Sequence, residues 1–192
     1  MQHPTATGPW PELIMRSFLI AGTSALAPEK PVYGPWNRLL NTMFPPDTMF
    51  EVVPQVPPVT FREAVDFVVF FLIYVEATPV FIVEVKPPDE LRPASRRREA
   101  DEQLRLRLGD LLFDAKIPVL HGISAFGSKM AFYKLTRDTL RLEPSRIAPE
   151  LDKLTDIAPR AWWAYDVLEE EGAQKFRKVV EEVKEMCGHC SF

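Results

Sequence analysis

The chain has 192 residues, enough for one domain with a substantial core, and 46% apolar with 26% charged residues is the balance of a folded globular protein. A net charge of −4 lacks the basic surplus of a protein that wraps duplex nucleic acid over a whole face. No apolar run reaches the roughly 18–20 residues that a membrane-spanning helix needs, so no membrane role is expected. The two cysteines, Cys187 and Cys190, fall in the last six residues. No disulfide framework therefore holds the core, as a reduced intracellular compartment, cytoplasmic or nuclear, would allow.

Residues 1–8 read as a disordered lead-in, and Pro11 to Ile20 as the start of a helix with Pro11 in its first turn. Arg16 to Ile20 and Ala25-Leu26-Ala27 have the look of a secretory leader. That reading needs a start at Met15, and Gly22-Thr23-Ser24 breaks the apolar stretch, so no cleavage is expected. Trp36 to Phe44 places Trp36, Leu39, Leu40 and Met43 at helical spacing before Pro45-Pro46 stops it. Phe50 to Val56 is β-prone, and Pro54 makes it an edge or bent strand.

Ala64 to Tyr74 is almost continuously apolar and reads as a strand buried on both faces. A turn over Glu76 to Pro79 leads to a second such strand, Val80 to Lys86, ended by Pro87-Pro88. A long helix is predicted from about Ala94 to Ala115. Its buried stripe is Leu104, Leu108, Leu111 and Leu112, and its polar face carries Arg96, Glu99, Gln103 and Arg107. Ile117 to Ile123 and Lys129 to Leu135 form a hairpin across Gly127-Ser128. The rest is expected to be helical, chiefly from about Asp166 to Met186. The order gives one α/β domain over residues 1–192, a mixed sheet flanked by helices with extra N- and C-terminal helices. Its core spans about 36–136, and a C-terminal helical extension runs over about 148–187.

Three charges stand out in the two central strands. Asp66 is the only one in the first, and Glu84 and Lys86 the only ones in the second. Burying an unpaired ion costs several kcal/mol, so the three call for one explanation. Glu84 and Lys86 are two apart and leave the same face of the sheet. A turn near 75–77 makes the strands antiparallel, which puts Asp66 within a residue or two of Glu84's register. Two carboxylates that close repel each other, and a divalent cation with oxygen preference, Mg²⁺ or Mn²⁺, would relieve the repulsion.

Asp66, a strand and turn, Glu84-Val85-Lys86, then a helix and a further strand resemble the PD-(D/E)xK nuclease superfamily over about residues 60–135. Phe81 to Pro88, with Leu120 to Ala125 downstream, resembles uncharacterised fungal proteins of that kind. The resemblance implies a restriction-endonuclease-like fold and a Mg²⁺-dependent nuclease that hydrolyses phosphodiester bonds of DNA or RNA. Asp66 and Glu84 would ligate the metal, with the Val85 carbonyl as a third ligand. Lys86 would position or help deprotonate the attacking water, and Gln103 would match a glutamine that some branches use near the metal. Two departures stand against it: Val65 rather than proline precedes Asp66, and Glu29 and Glu63 are poor substitutes for a first-helix acid.

Arg92, Arg96, Arg97, Arg98, Arg105 and Arg107 form a basic patch beside this site. Arg92, Arg96, Arg97, Arg98 and Arg107 are the candidate phosphate contacts. A solvated helix face paired with Glu99, Asp101 and Glu102 explains the same residues equally well. His121 reads as structural rather than as a general base, and Trp162 and Trp163 as packing rather than base-stacking residues. Cys187-Gly188-His189-Cys190 has thiol-redox spacing, but it lies at the wrong end of a helix for that chemistry and has too few ligands for closed zinc. Nucleic acid is the expected partner, with a homodimer left open. The rival expectation is a catalytically inactive nuclease-fold module, or an effector, acting through a protein partner.

Overall fold

A computed structural model describes residues 8–23, 32–55, 69–149 and 155–192. The elements are α1 (Glu12–Thr23), α2 (Tyr33–Met43), β1 (Phe50–Gln55), β2 (Val69–Val75), β3 (Thr78–Lys86), α3 (Ala94–Leu112), β4 (Val119–Phe126), β5 (Lys129–Thr136), β6 (Arg141–Glu143), β7 (Tyr165–Asp166) and α4 (Glu170–His189). Among the described residues, no helix is long and apolar enough to cross a membrane.

The strands form one mixed sheet in the order β1-β2-β3-β4-β5-β6, with β7 pairing the far end of β5. Neighbours are antiparallel except β3 and β4, which run parallel. That parallel pair follows from α3, since a strand can return in the same direction only by a crossover long enough to hold a helix. As expected, β1 is an edge strand and β3 a central one, buried along its whole length.

Alternation along β3 sends Phe81, Val83 and Val85 to one face and Ile82, Glu84 and Lys86 to the other. The first face meets α2 and α4: the Phe81 ring lies 5.9 Å from Phe44 and 6.5 Å from Phe176. Here Trp36 packs edge-on against both Phe18 of α1 and Phe176. The second face meets α3. Leu108 lies so close over Gly122 of β4 that an added Cβ would fall 3.2 Å from its methyl carbon and 3.3 Å from Ile82. Large side chains on both faces make the sheet the middle layer of three.

Several boundaries differ from expectation. The turn before β3 is Glu76-Ala77 alone, with both residues at positive φ (45° and 64°). Thr78 and Pro79 already pair with Val75 and Tyr74, across an irregularity that absorbs the proline. Residues 64–68 of the expected strand, Asp66 among them, lie outside the described residues, as do residues 1–7 of the lead-in. α3 stops at Leu112, and β4 runs on to Phe126, beyond Ile123. The region after β5 is not simply helical: β6, a 3₁₀ turn at Arg160–Trp163 and β7 precede α4. Asp166 ends β7 rather than starting a helix, because its Oδ1 accepts the Leu168 amide at 2.9 Å and Val167 donates to the Ser128 carbonyl at 2.9 Å.

Candidate active site

The Glu84–Lys86 face of β3 carries the only charges in that strand, and both side chains are fully buried. Glu84 Oε2 accepts a hydrogen bond from Ser124 Oγ at 3.1 Å. Ser124 is the β4 residue paired with Glu84 across the parallel ladder, which is why the two side chains meet. Among the described residues, Glu84 Oε1 has no hydrogen-bond partner, and it lies 3.9 Å from Lys86 Nζ. A buried carboxylate oxygen without a direct hydrogen bond is costly, and the Lys86 charge offsets only part of that cost.

Lys86 turns instead to α3, donating from Nζ to Gln103 Oε1 at 2.8 Å. Gln103 Nε2 donates to Glu99 Oε1 at 3.2 Å, and Arg96 Nη1 donates to Glu99 Oε2 at 3.1 Å. A second cluster adjoins this line. Asp101 accepts from Arg105 Nε and from the Tyr133 hydroxyl at 2.8 and 2.9 Å, and Arg105 Nη2 donates to the Pro144 carbonyl at 2.8 Å.

Burial pushes the Glu84 carboxyl up to about 7 from an ordinary value of 4.5. Lys86 and the Ser124 hydroxyl pull it down, while the charges of Glu99 and Asp101 push it further up. Desolvation wins because an ion pair at 3.9 Å without a direct hydrogen bond returns only part of the lost hydration. The carboxyl therefore takes up and releases a proton near neutral pH.

Asp66 lies outside the described residues. The partner of Glu84 in β2 is Phe70, four residues along the chain from Asp66 rather than the expected one or two. Val85 pairs with Val69 on one side and Ala125 on the other. Gln103 and Lys86 are brought together. Among the described residues, no three of His, Cys, Asp and Glu stand as a group able to hold an ion.

The basic patch divides. Arg92 and Arg98 are exposed, Arg107 is half-buried, and Arg96 pairs with Glu99. Arg97, expected to face phosphate, turns inward. Its guanidinium donates to the carbonyls of Ala158, Leu91 and Arg92 at 2.9, 3.1 and 2.7 Å and meets Asp156 Oδ2 at 2.5 Å. Arg105 is likewise spent on Asp101 and Pro144, stacked over Tyr133 and Trp162. These two fasten α3 to the chain beyond the sheet, since a buried guanidinium must satisfy its planar donors internally.

His121 belongs to the opposite face, 3.3 Å from Glu182 of α4. Burial lowers its pKa against the pull of Glu182, and Lys134 lowers it further. Trp163 is buried against Phe126, and Trp162 lies over Arg105, so both are packing residues. Cys187 and Cys190 are free thiols at the end of α4, and burial together with Cys190 pushes the Cys187 thiol up to about 12, the reverse of a reactive thiol.

Ser124 and Glu99 are the site residues that sequence reasoning missed. Ser124 had a signal, as a hydroxyl inside an apolar strand. Glu99 had one in its i, i+4 spacing to Gln103, although the sequence sets it equally well against the arginines of a solvated helix face. No family model, curated protein or solved structure matches this chain.

Proposed function

We propose that the chain is a Mg²⁺- or Mn²⁺-dependent nuclease that hydrolyses phosphodiester bonds of DNA or RNA at the Glu84–Lys86 end of β3. The observation that carries this reading is the buried Glu84 Oε1, without a hydrogen-bond partner among the described residues and set beside a lysine of the same strand. Order supports it too: two antiparallel strands, a crossover helix and a parallel strand place an acid, a lysine and a glutamine on one face, as the PD-(D/E)xK resemblance implies.

The residues fit a hard divalent cation. Such an ion binds through one or two carboxylates and completes its shell with water and phosphate oxygens. Glu84 offers an oxygen whose lone pairs accept no hydrogen bond from the described residues. Glu84 would hold the ion, with Asp66 and the Val85 carbonyl as the further ligands that the resemblance implies. When bound, it would polarise a phosphate oxygen and make a bound water acidic enough to attack.

The protein's own groups supply the rest. Ser124 fixes the Glu84 carboxylate by one oxygen and leaves the other open. Lys86 brings positive charge where a phosphorane would gather negative charge, and Gln103 holds it there. Arg92 and Arg98 are exposed near the start of α3 and are the arginines of the patch suited to meet a nucleic-acid backbone.

One observation favours a second reading. Glu84 and Lys86 expose 0% and 1% of their surface, so phosphate reaches them only if their cover moves. A nuclease-type fold kept as a non-catalytic interaction module needs no such opening. Cleavage of labelled single-stranded and duplex oligonucleotides in Mg²⁺ and in Mn²⁺ decides between the two. The nuclease reading expects turnover that falls at least a hundredfold in Glu84→Ala and Lys86→Ala, a loss of ~3 kcal/mol of transition-state stabilisation. Equal residual activity in wild type and both variants would mean a contaminant and would favour the module.

A further inference from the structure

We propose that Glu99 is a positioning residue: through the Gln103 side-chain amide it fixes the acceptor that holds Lys86 beside Glu84. The consequence for turnover rests on the nuclease reading above. The consequence for Lys86 rests on geometry alone.

A glutamine amide presents an oxygen acceptor on one side and an NH₂ donor on the other, and turning it over changes its shape little. Lys86 has donors and no acceptor, so only the oxygen suits it. Nothing in Gln103 itself selects that orientation. Glu99 does, because a carboxylate only accepts: Nε2 donates to Glu99 Oε1 at 3.2 Å while Oε1 faces Lys86 Nζ at 2.8 Å. Turned over, the amide would set oxygen against carboxylate and NH₂ against ammonium, replacing two attractions with two repulsions.

The spacing on α3 makes the line continuous. Arg96, Glu99 and Gln103 stand at i, i+3 and i+7 and share one side of the helix. Arg96 holds the second oxygen of Glu99 at 3.1 Å, which leaves the first to reach inward. Read alone, Arg96–Glu99 is a partly exposed ion pair of little energetic weight. Its inner contact gives it another role, since it links the surface to a lysine with almost no exposed area. Ser124 does the corresponding work on Glu84 from β4.

The test uses the full chain, ¹⁵N-labelled, with the Lys86 ammonium resonance assigned by its loss in Lys86→Arg. A shielded, hydrogen-bonded ammonium gives a sharp signal, so the wild type is expected to show one. Glu99→Ala should broaden it beyond detection, whereas Glu99→Asp keeps a group that only accepts and should retain it. Gln103→Leu, which leaves the Arg96–Glu99 pair in place, should lose it, and this contrast with Glu99→Asp carries the test if Glu99→Ala does not fold. In Mn²⁺ with a labelled DNA oligonucleotide, Glu99→Ala should lower kcat about 10- to 100-fold with KM little changed, as losses of outer-shell partners do. No signal in wild type, a retained signal in Gln103→Leu, or equal loss in Glu99→Asp and Glu99→Ala would overturn the proposal. A wild type without turnover whose Lys86 signal follows the expected pattern would sustain the positioning role and remove the nuclease reading.

Discussion

At the residue scale, Glu84 sets the behaviour of the site. Its carboxyl ionises near 4.5 in an unfolded chain and near 7 when folded. Between those values the folded state holds a proton that the unfolded state has released, so stability falls as pH rises through the window. The favourable contribution is whole below about pH 4.5 and gone above about pH 7. Glu84→Gln removes the dependence, and relative to wild type it should gain about 3 kcal/mol between pH 4.5 and pH 8, at ~1.4 kcal/mol per pH unit across the window. Urea midpoints at a series of pH values measure this. A constant difference between the two proteins would mean that the Glu84 carboxyl is well solvated.

The lone charge in an apolar strand was legible at this scale, because burial of Glu84 and Lys86 follows from the hydrophobic residues around them. The partners were not. Ser124 meets Glu84 only because β3 and β4 run parallel in one register, and no local pattern encodes that register. Arg97 and Arg105 looked like their exposed neighbours Arg92 and Arg98. What separates them is which side of α3 faces Asp156 and Pro144, residues about 40 to 60 positions away.

At the scale of elements, the long apolar and amphipathic segments were readable because each spans enough residues for its period to show. Short ones were not: β6 and β7 have three and two residues, too few to alternate, and they exist because β5 offers an edge. The β2–β3 turn was misplaced because Pro79 looked like a turn residue, whereas the turn is Glu76-Ala77 at positive φ. Ala77 at φ 64° bears the steric cost of a left-handed backbone with a Cβ. Ala77→Gly should therefore stabilise the hairpin by about 0.5–1 kcal/mol, after the greater freedom of glycine in the unfolded chain is discounted. Thermal unfolding would register it as a raised midpoint, and a lowered midpoint would mean that the turn is not strained.

At the scale of the whole molecule, a three-layer arrangement accounts for both the strength and the difficulty of the functional reading. α2 and α4 close one face of the sheet, through the contacts of Phe44 and Phe176 with Phe81. α3 closes the other, and Arg97 and Arg105 tie it to the segment between β6 and β7. Enclosure on both sides desolvates Glu84, which is why its carboxyl holds a proton to higher pH than an ordinary one. On the proposed function, a substrate would have to displace part of that cover. The mixed α/β layout was legible from the order of periodic segments. How deeply it would bury the acid was not, because that depends on how three distant helices close over the sheet.

The central claim is that Glu84 holds a divalent cation. Electron paramagnetic resonance of free Mn²⁺, titrated into wild type and Glu84→Gln at pH 8, tests it without needing a substrate. The account predicts one site in the wild type that Glu84→Gln abolishes. Binding that survives the substitution unchanged, or a folded wild type with no affinity for Mn²⁺, would contradict it.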